Sequence, residues 1–111
     1  MNTKVNALIT KALHGKLLVV PLYGTSYQTF YQVRHYTNGR IAIELDERNG
    51  TNFATLTCNL PDEELGDWEI LVKTWSENEE IAKAALASGR FKDTGRRVST
   101  GFMLAHVWEV L

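Results

Sequence analysis

Chemistry-bearing residues are sparse in this 111-residue chain: three histidines, one cysteine, and one run of glycine, hydroxyl and arginine residues. His14, His35 and His106 share no HxxxH or HExxH spacing, which a metal-binding helix would need to present two imidazoles on one face. They read as helix-end and strand-face residues, so no metal ligand is assigned. Cys58 has no cysteine to pair with and falls in an alternating apolar stretch, where a thiol serves as a small hydrophobe. Serine-nucleophile motifs (GxSxG, SxxK) and phosphate-cradling motifs (GxGxxG, GxxxxGK[ST]) are absent. The sequence therefore offers no catalytic residue and no cofactor, and a non-enzymatic role is expected.

The best candidate site is the run Asp93-Thr94-Gly95-Arg96-Arg97-Val98-Ser99-Thr100-Gly101. Arg96 and Arg97 offer forked donors that suit phosphate or carboxylate, and Thr94, Ser99 and Thr100 add hydroxyls. Two readings stay open: a ligand or partner contact, or a turn-rich connection whose arginines pair with nearby acids. Aromatic residues Tyr23, Tyr27, Phe30, Tyr31 and Tyr36 cluster between positions 23 and 36. Such rings can stack bases. Lys16 and Arg34 are too few bases to track a phosphate backbone, so nucleic acid is not expected as a direct ligand. Core packing with a protein-binding face, including Tyr36, is expected instead.

Charge is segregated although the formal net charge is only −1. Residues 62–80 hold Asp62, Glu63, Glu64, Asp67, Glu69, Glu77, Glu79 and Glu80 against Lys73, a local net of −7. Residues 81–100 hold five bases against Asp93, a local net of +4. A solvated acidic loop beside a basic one explains this, as does a polarised surface that meets a charged partner. Asp62, Glu63 and Glu64 belong to the second reading.

These residues need elements to position them. Val5, Leu8, Ile9, Ala12 and Leu13 follow helical spacing, with Asn2 or Thr3 as cap and Gly15 as stop. Lys16–Tyr23 reads as a strand that lies at an edge or carries a bulge, because Pro21 cannot complete a ladder. Gly24-Thr25-Ser26 reads as the turn that follows. Tyr27–Tyr36 and Arg40–Glu47 then flank a hairpin turn. A two-residue loop would place Arg34 opposite Ile43. A three-residue loop, Thr37–Gly39, pairs Val33 with Ile43 and Tyr31 with Leu45, keeping one face apolar and placing Gly39 where φ is positive. The second register is expected. Further strands are expected at Phe53–Asn59, Trp68–Trp75 and Phe102–Val110, the second apolar on both sides and therefore covered on both. Ser76 and Glu79 form a capping-box pattern before a helix at 77–88, with Ile81, Ala82, Ala85 and Leu86 as its buried stripe and Gly89 closing it.

The expected fold is a single α+β domain over residues 1–111. Its antiparallel sheet has about five to six strands, with both helices packed on one face. With 44% hydrophobic residues the chain can bury a core. No stretch resembles a signal peptide or membrane span, and the lone cysteine fits a reducing compartment, so the cytoplasm is the expected location. Pairing of edge strands across a two-fold axis, giving a homodimer, stays open.

Six short runs carry a family likeness. Asn38–Asp46 (Asn-Gly-Arg-Ile-Ala-Ile-Glu-Leu-Asp) and Phe53–Pro61 come first; Lys73–Asn78, Asp93–Arg96, Thr100–Phe102 and Val107-Trp108 follow. Together they resemble a family of short uncharacterised proteins of bacterial plasmids, integrative elements and prophages, over about residues 30–110. Where a valine is common in that family this chain has Cys58. The resemblance implies a mobile-element accessory protein that acts by binding a host protein. A counter-defence, anti-CRISPR-like inhibitor of a CRISPR effector nuclease is its leading form. It transfers no catalytic residue. The alternatives are a binder of nucleotides or other phosphorylated ligands using the 94–101 run, or a small enzyme built on His35 or His106.

Overall fold

Local sequence signals place most elements, and long-range pairing adds one that they conceal. A computed structural model describes residues 3–111 and shows two helices and seven strands in two antiparallel sheets. The fold class is α+β as expected, with seven strands in two sheets in place of one sheet of five to six.

Helix α1 (Thr3–Leu13) buries Val5, Asn6, Ile9 and Leu13. Its buried stripe is rotated toward Asn6, leaving Leu8 at 45% exposure. The rotation has a polar cause, because Asn6 Nδ2 donates to the Gly39 carbonyl at 3.2 Å and ties the helix to a distant turn. Asn2 lies outside the described residues, and Thr3 is the first residue of the helix.

Strands β1 (Leu17–Leu22), β2 (Thr25–His35), β3 (Ile41–Asp46) and β4 (Asn52–Thr55) pair in chain order. Pro21 lies on the edge strand, as its missing N–H requires. The first turn is Tyr23-Gly24, with φ of 51° and 76°, rather than Gly24–Ser26; the pair Leu22↔Thr25 leaves a two-residue loop between the strands. Between β2 and β3 the register pairs Tyr31 with Leu45 and Val33 with Ile43, and Gly39 has φ of 86°. The three-residue loop is therefore the one formed. His14 completes the ladder where β1 has not yet begun: its Nδ1 accepts the Val33 N–H at 3.0 Å.

The second sheet has the order β5-β7-β6, made by β5 (Glu69–Val72), β7 (Met103–Val110) and β6 (Phe91–Thr100). Residues 56–58 stitch it to the first. Leu56 N–H donates to Ile43 on one side, while Cys58 N–H donates to Leu71 and Lys73 N–H to Leu56 on the other. Helix α2 (Asn78–Ala87) precedes β6 and packs against β1.

One principal core draws on both helices and both sheets. It includes Ile9 and Leu13 from α1, Ile81 and Ala85 from α2, Tyr31 and Leu45 from the first sheet, and Ile70, Phe91 and Trp108 from the second. Phe91 lies at its centre, 5.9 Å from the Tyr31 ring and 5.5 Å from the Trp108 ring. Such aromatic pairs contribute about 0.5–1.5 kcal/mol each beyond their buried area. A smaller cluster of Leu71, Ala105 and Val107 lies on the other side of the second sheet, covered by Cys58, Leu60, Leu65, Trp75 and Val98. Strand β5 is thus covered on both faces, as its doubly apolar sequence requires.

The capping box is not formed. Ser76 adopts a left-handed φ of 56°, the N-cap position falls at Glu77, and no side chain caps the start of the helix. Asn78 takes over the anchoring. It is 3% exposed, and its Nδ2 donates to the Thr55 carbonyl at 2.7 Å and the Lys73 carbonyl at 3.3 Å. Leu86 leaves the expected buried stripe and is 36% exposed.

Candidate functional site

The run expected to be a loop is most of a strand. Residues 91–100 form β6, whose pairing with β7 is interrupted between Asp93 and Arg97. Asp93 lies opposite Trp108 and Arg97 opposite His106, so Thr94, Gly95 and Arg96 bulge out against Val107 alone. Side chains knit the bulge: Asp93 accepts the Gly95 N–H at 2.9 Å, and Thr94 Oγ1 accepts the Arg96 N–H at 3.2 Å while donating to the Val107 carbonyl at 2.7 Å. Gly95 has φ of 86°, which suits a residue without a Cβ.

Both arginines are engaged within the protein. Arg97 grips both oxygens of Asp93 at 2.8 Å. That forked pair, with the Gly95 N–H, holds the Asp93 carboxyl down to about 2 despite partial burial. Arg96 reaches across to Glu69 at 3.2 Å and to the Glu64 carbonyl at 2.5 Å. The basic run and the acidic segment, separate in sequence, are therefore joined in space. Arg40 strengthens the same connection by donating to the carbonyls of Leu60, at 2.7 Å, and Glu63.

The other sequence candidates are scattered. Ser99 and Thr100 lie near the end of β6, where their hydroxyls donate weakly to the carbonyls of Gly101 and Met103 at 3.3 and 3.4 Å. Tyr36 lies far along the chain on the β2–β3 hairpin, half-buried, its hydroxyl 3.0 Å from Thr57 Oγ1. Burial pushes that phenol up, so it stays a neutral structural group. Asp62 and Glu64 are exposed and Glu63 is half-buried in the acidic loop. Burial also raises the Cys58 thiol against the opposing pull of Lys73, which disfavours the thiolate a nucleophile would need. Among the described residues no group of three or more His, Cys, Asp or Glu side chains is placed to hold a metal.

No family model, curated protein or solved structure matches the chain. The geometry itself offers two features. One is the tip of the β6–β7 hairpin. Thr100 pairs with Met103, leaving Gly101 and Phe102 as a two-residue turn, and Gly101 has φ of 83°, as the first position of a type II′ turn requires. Phe102 is fully exposed, Leu104 is 55% exposed and Met103 is 38% exposed. Phe102, Leu104 and Trp108 share the alternation of the strand expected at Phe102–Val110, yet Phe102 and Leu104 are exposed where Trp108 is buried. Only the far half of β7, from Ala105, enters the two cores. The usable signal was the Thr100-Gly101-Phe102 step, in which a glycine turn carries an apolar residue with no partner strand beneath it.

The second feature is a cleft of about 360 Å³ between α2 and the second sheet. Thr74 lines it, with Glu79, Ala82, Lys83 and Leu86 from the helix and Asp93, His106 and Trp108 from the strands. Burial and the nearby Arg97 both lower the His106 imidazole from its ordinary value, against a raising influence from Asp93, so its neutral form is favoured. Of these residues the sequence singles out Asp93, as the start of the arginine-bearing run, and His106, and nothing in it brings the two together. The cleft depends on α2 folding back over a bulged hairpin, a juxtaposition that no local pattern encodes.

Proposed function

We propose that this protein acts by binding another protein, and that the tip of the β6–β7 hairpin is the element that docks. One observation carries the reading: Phe102, Met103 and Leu104 are three consecutive apolar residues, all exposed. Isolated exposed apolar side chains are ordinary, but a continuous exposed run is costly in water unless a partner covers it. The hairpin is suited to presenting such a run. Its two-residue turn is tight, and its base is anchored by Phe91 and Trp108 in the core.

The resemblance to mobile-element accessory proteins supplies the class of partner: a host defence protein, with a CRISPR effector nuclease first. The exposed acids of the 62–80 segment would complement the basic groove of such a nuclease. Catalysis is not part of this reading.

The test is inhibition of target cleavage by purified CRISPR effector nucleases, using the wild-type protein and a Phe102→Asp/Leu104→Asp double variant. Wild-type inhibition that the double variant loses, with an unchanged melting temperature, is the expected result. Inhibition by both proteins would move the docking face away from the tip. No inhibition and no complex with any nuclease tested would remove the counter-defence reading.

A further inference from the structure

We propose that the cleft between α2 and the β6–β7 hairpin binds a small, uncharged heteroaromatic compound of the nucleobase or nucleoside type. Its volume of about 360 Å³ lies in the lower part of the range for small-molecule sites, roughly 300–1,000 Å³. Leu86 gives it an apolar wall, and the nearly buried Ala82 and Trp108, 4% and 2% exposed, form an apolar floor with an aromatic member. That lining favours a flat ring over a flexible polar chain.

Charge decides against a phosphorylated ligand. Each charged side chain of the cleft already has an opposite charge beside it. Lys83 lies 3.5 Å from Glu79 and 3.3 Å from Glu80, and Asp93 is gripped by Arg97 at 2.8 Å. Arg96, the other guanidinium of the bulge, is drawn off to Glu69. No unpaired cation of the lining is left to offset the desolvation of a phosphate.

The remaining polar groups suit a neutral ring edge. Asp93 accepts from Arg97 and Gly95, so it is fixed in place and still carries acceptor capacity for an exocyclic amine. A neutral His106 has one donor and one acceptor nitrogen, the complement of the alternating donors and acceptors on a base edge. The Thr74 hydroxyl can do either at another point of the lining. This inference does not depend on the hairpin tip and stands or falls separately from the protein-binding role.

Amide NMR titration of the intact protein with adenosine, guanosine, cytidine and uridine, each against its 5′-monophosphate, tests the proposal. The expected result is saturable shifts at Thr74, Ala82, Leu86, His106 and Trp108 with at least one nucleoside. Its monophosphate should bind about tenfold or more weakly. Leu86→Glu, at a partly exposed position, should lose about tenfold or more in affinity while melting like the parent. Shifts centred elsewhere, a monophosphate that binds as tightly, or no saturable shift with any of the four nucleosides would each overturn it.

Discussion

Asn78 shows how a single side chain can replace a motif. A serine with a glutamate three residues on is the usual start of a helix, and Ser76 and Glu79 have that spacing. The buried amide of Asn78 instead bonds the carbonyls of Thr55 and Lys73, joining the helix start to the end of β4 and the residue just after β5. Removing it takes the donor from two partly buried carbonyls, at a cost of about 1–3 kcal/mol. Asn78→Ala is therefore expected to be the more damaging change in urea unfolding, and Ser76→Ala a mild one. Arg96 and Arg97 teach the converse lesson. Their chemistry was legible as guanidinium forks, and pairing with acids was one of the two readings, but which acids they meet was not legible. Asp93 is four residues from Arg97 across a bulge, and Glu69 is twenty-seven from Arg96. Nothing in the intervening residues announces either distance.

At the scale of elements, the same Ser76 yields a sharper expectation. Its φ of 56° is strained for a residue with a Cβ. Ser76→Gly should relieve that strain and leave the protein as stable or up to about 1 kcal/mol more stable. A capping serine would instead lose stability on any substitution that removes its hydroxyl, so equilibrium denaturation separates the two. What was legible here followed from face and register. The β2–β3 hairpin was readable down to its pairings because only one loop length keeps Tyr31, Val33, Ile43 and Leu45 on one side. Strand β6 was not readable, for a physical reason. It is the outer strand of its sheet, most of its residues are exposed, and beyond Phe91 and Val98 it has no apolar alternation to betray it. Its strand character comes from backbone bonds to β7, to which the side-chain pattern is blind. The cleft inherits the same invisibility, since Asp93 belongs to that hidden strand and His106 to its neighbour.

For the whole molecule, acid is the informative perturbant. The folded His106 titrates below its ordinary 6.5 because burial and Arg97 disfavour the charged ring. The unfolded chain therefore binds this proton first, and stability falls as pH drops below 6.5. The Asp93 carboxyl moves the other way, from 3.8 to about 2. Its contribution is complete above 3.8 and is lost as pH falls through about 2. A melting-temperature profile should accordingly be flat near neutrality and descend in acid; in alkali it should descend again, because burial raises the Cys58 thiol and the Tyr31 and Tyr36 phenols. Asp93→Asn should flatten its lowest part, and His106→Gln the part just below 6.5. A profile unchanged by either substitution would mean that neither group's surroundings persist in solution.

Residues 56–58 belong to both sheets at once, with hydrogen bonds to β3 on one side and β5 on the other. A hinge cannot operate there, because rotating one sheet away from the other would break backbone bonds as well as side-chain contacts. The protein is thus closer to a single curved shell than to two plates in contact. Slow breathing should be confined to its free rims, chiefly the outer edge of β6, while Leu56 and Cys58 exchange their amide hydrogens only when the whole molecule opens.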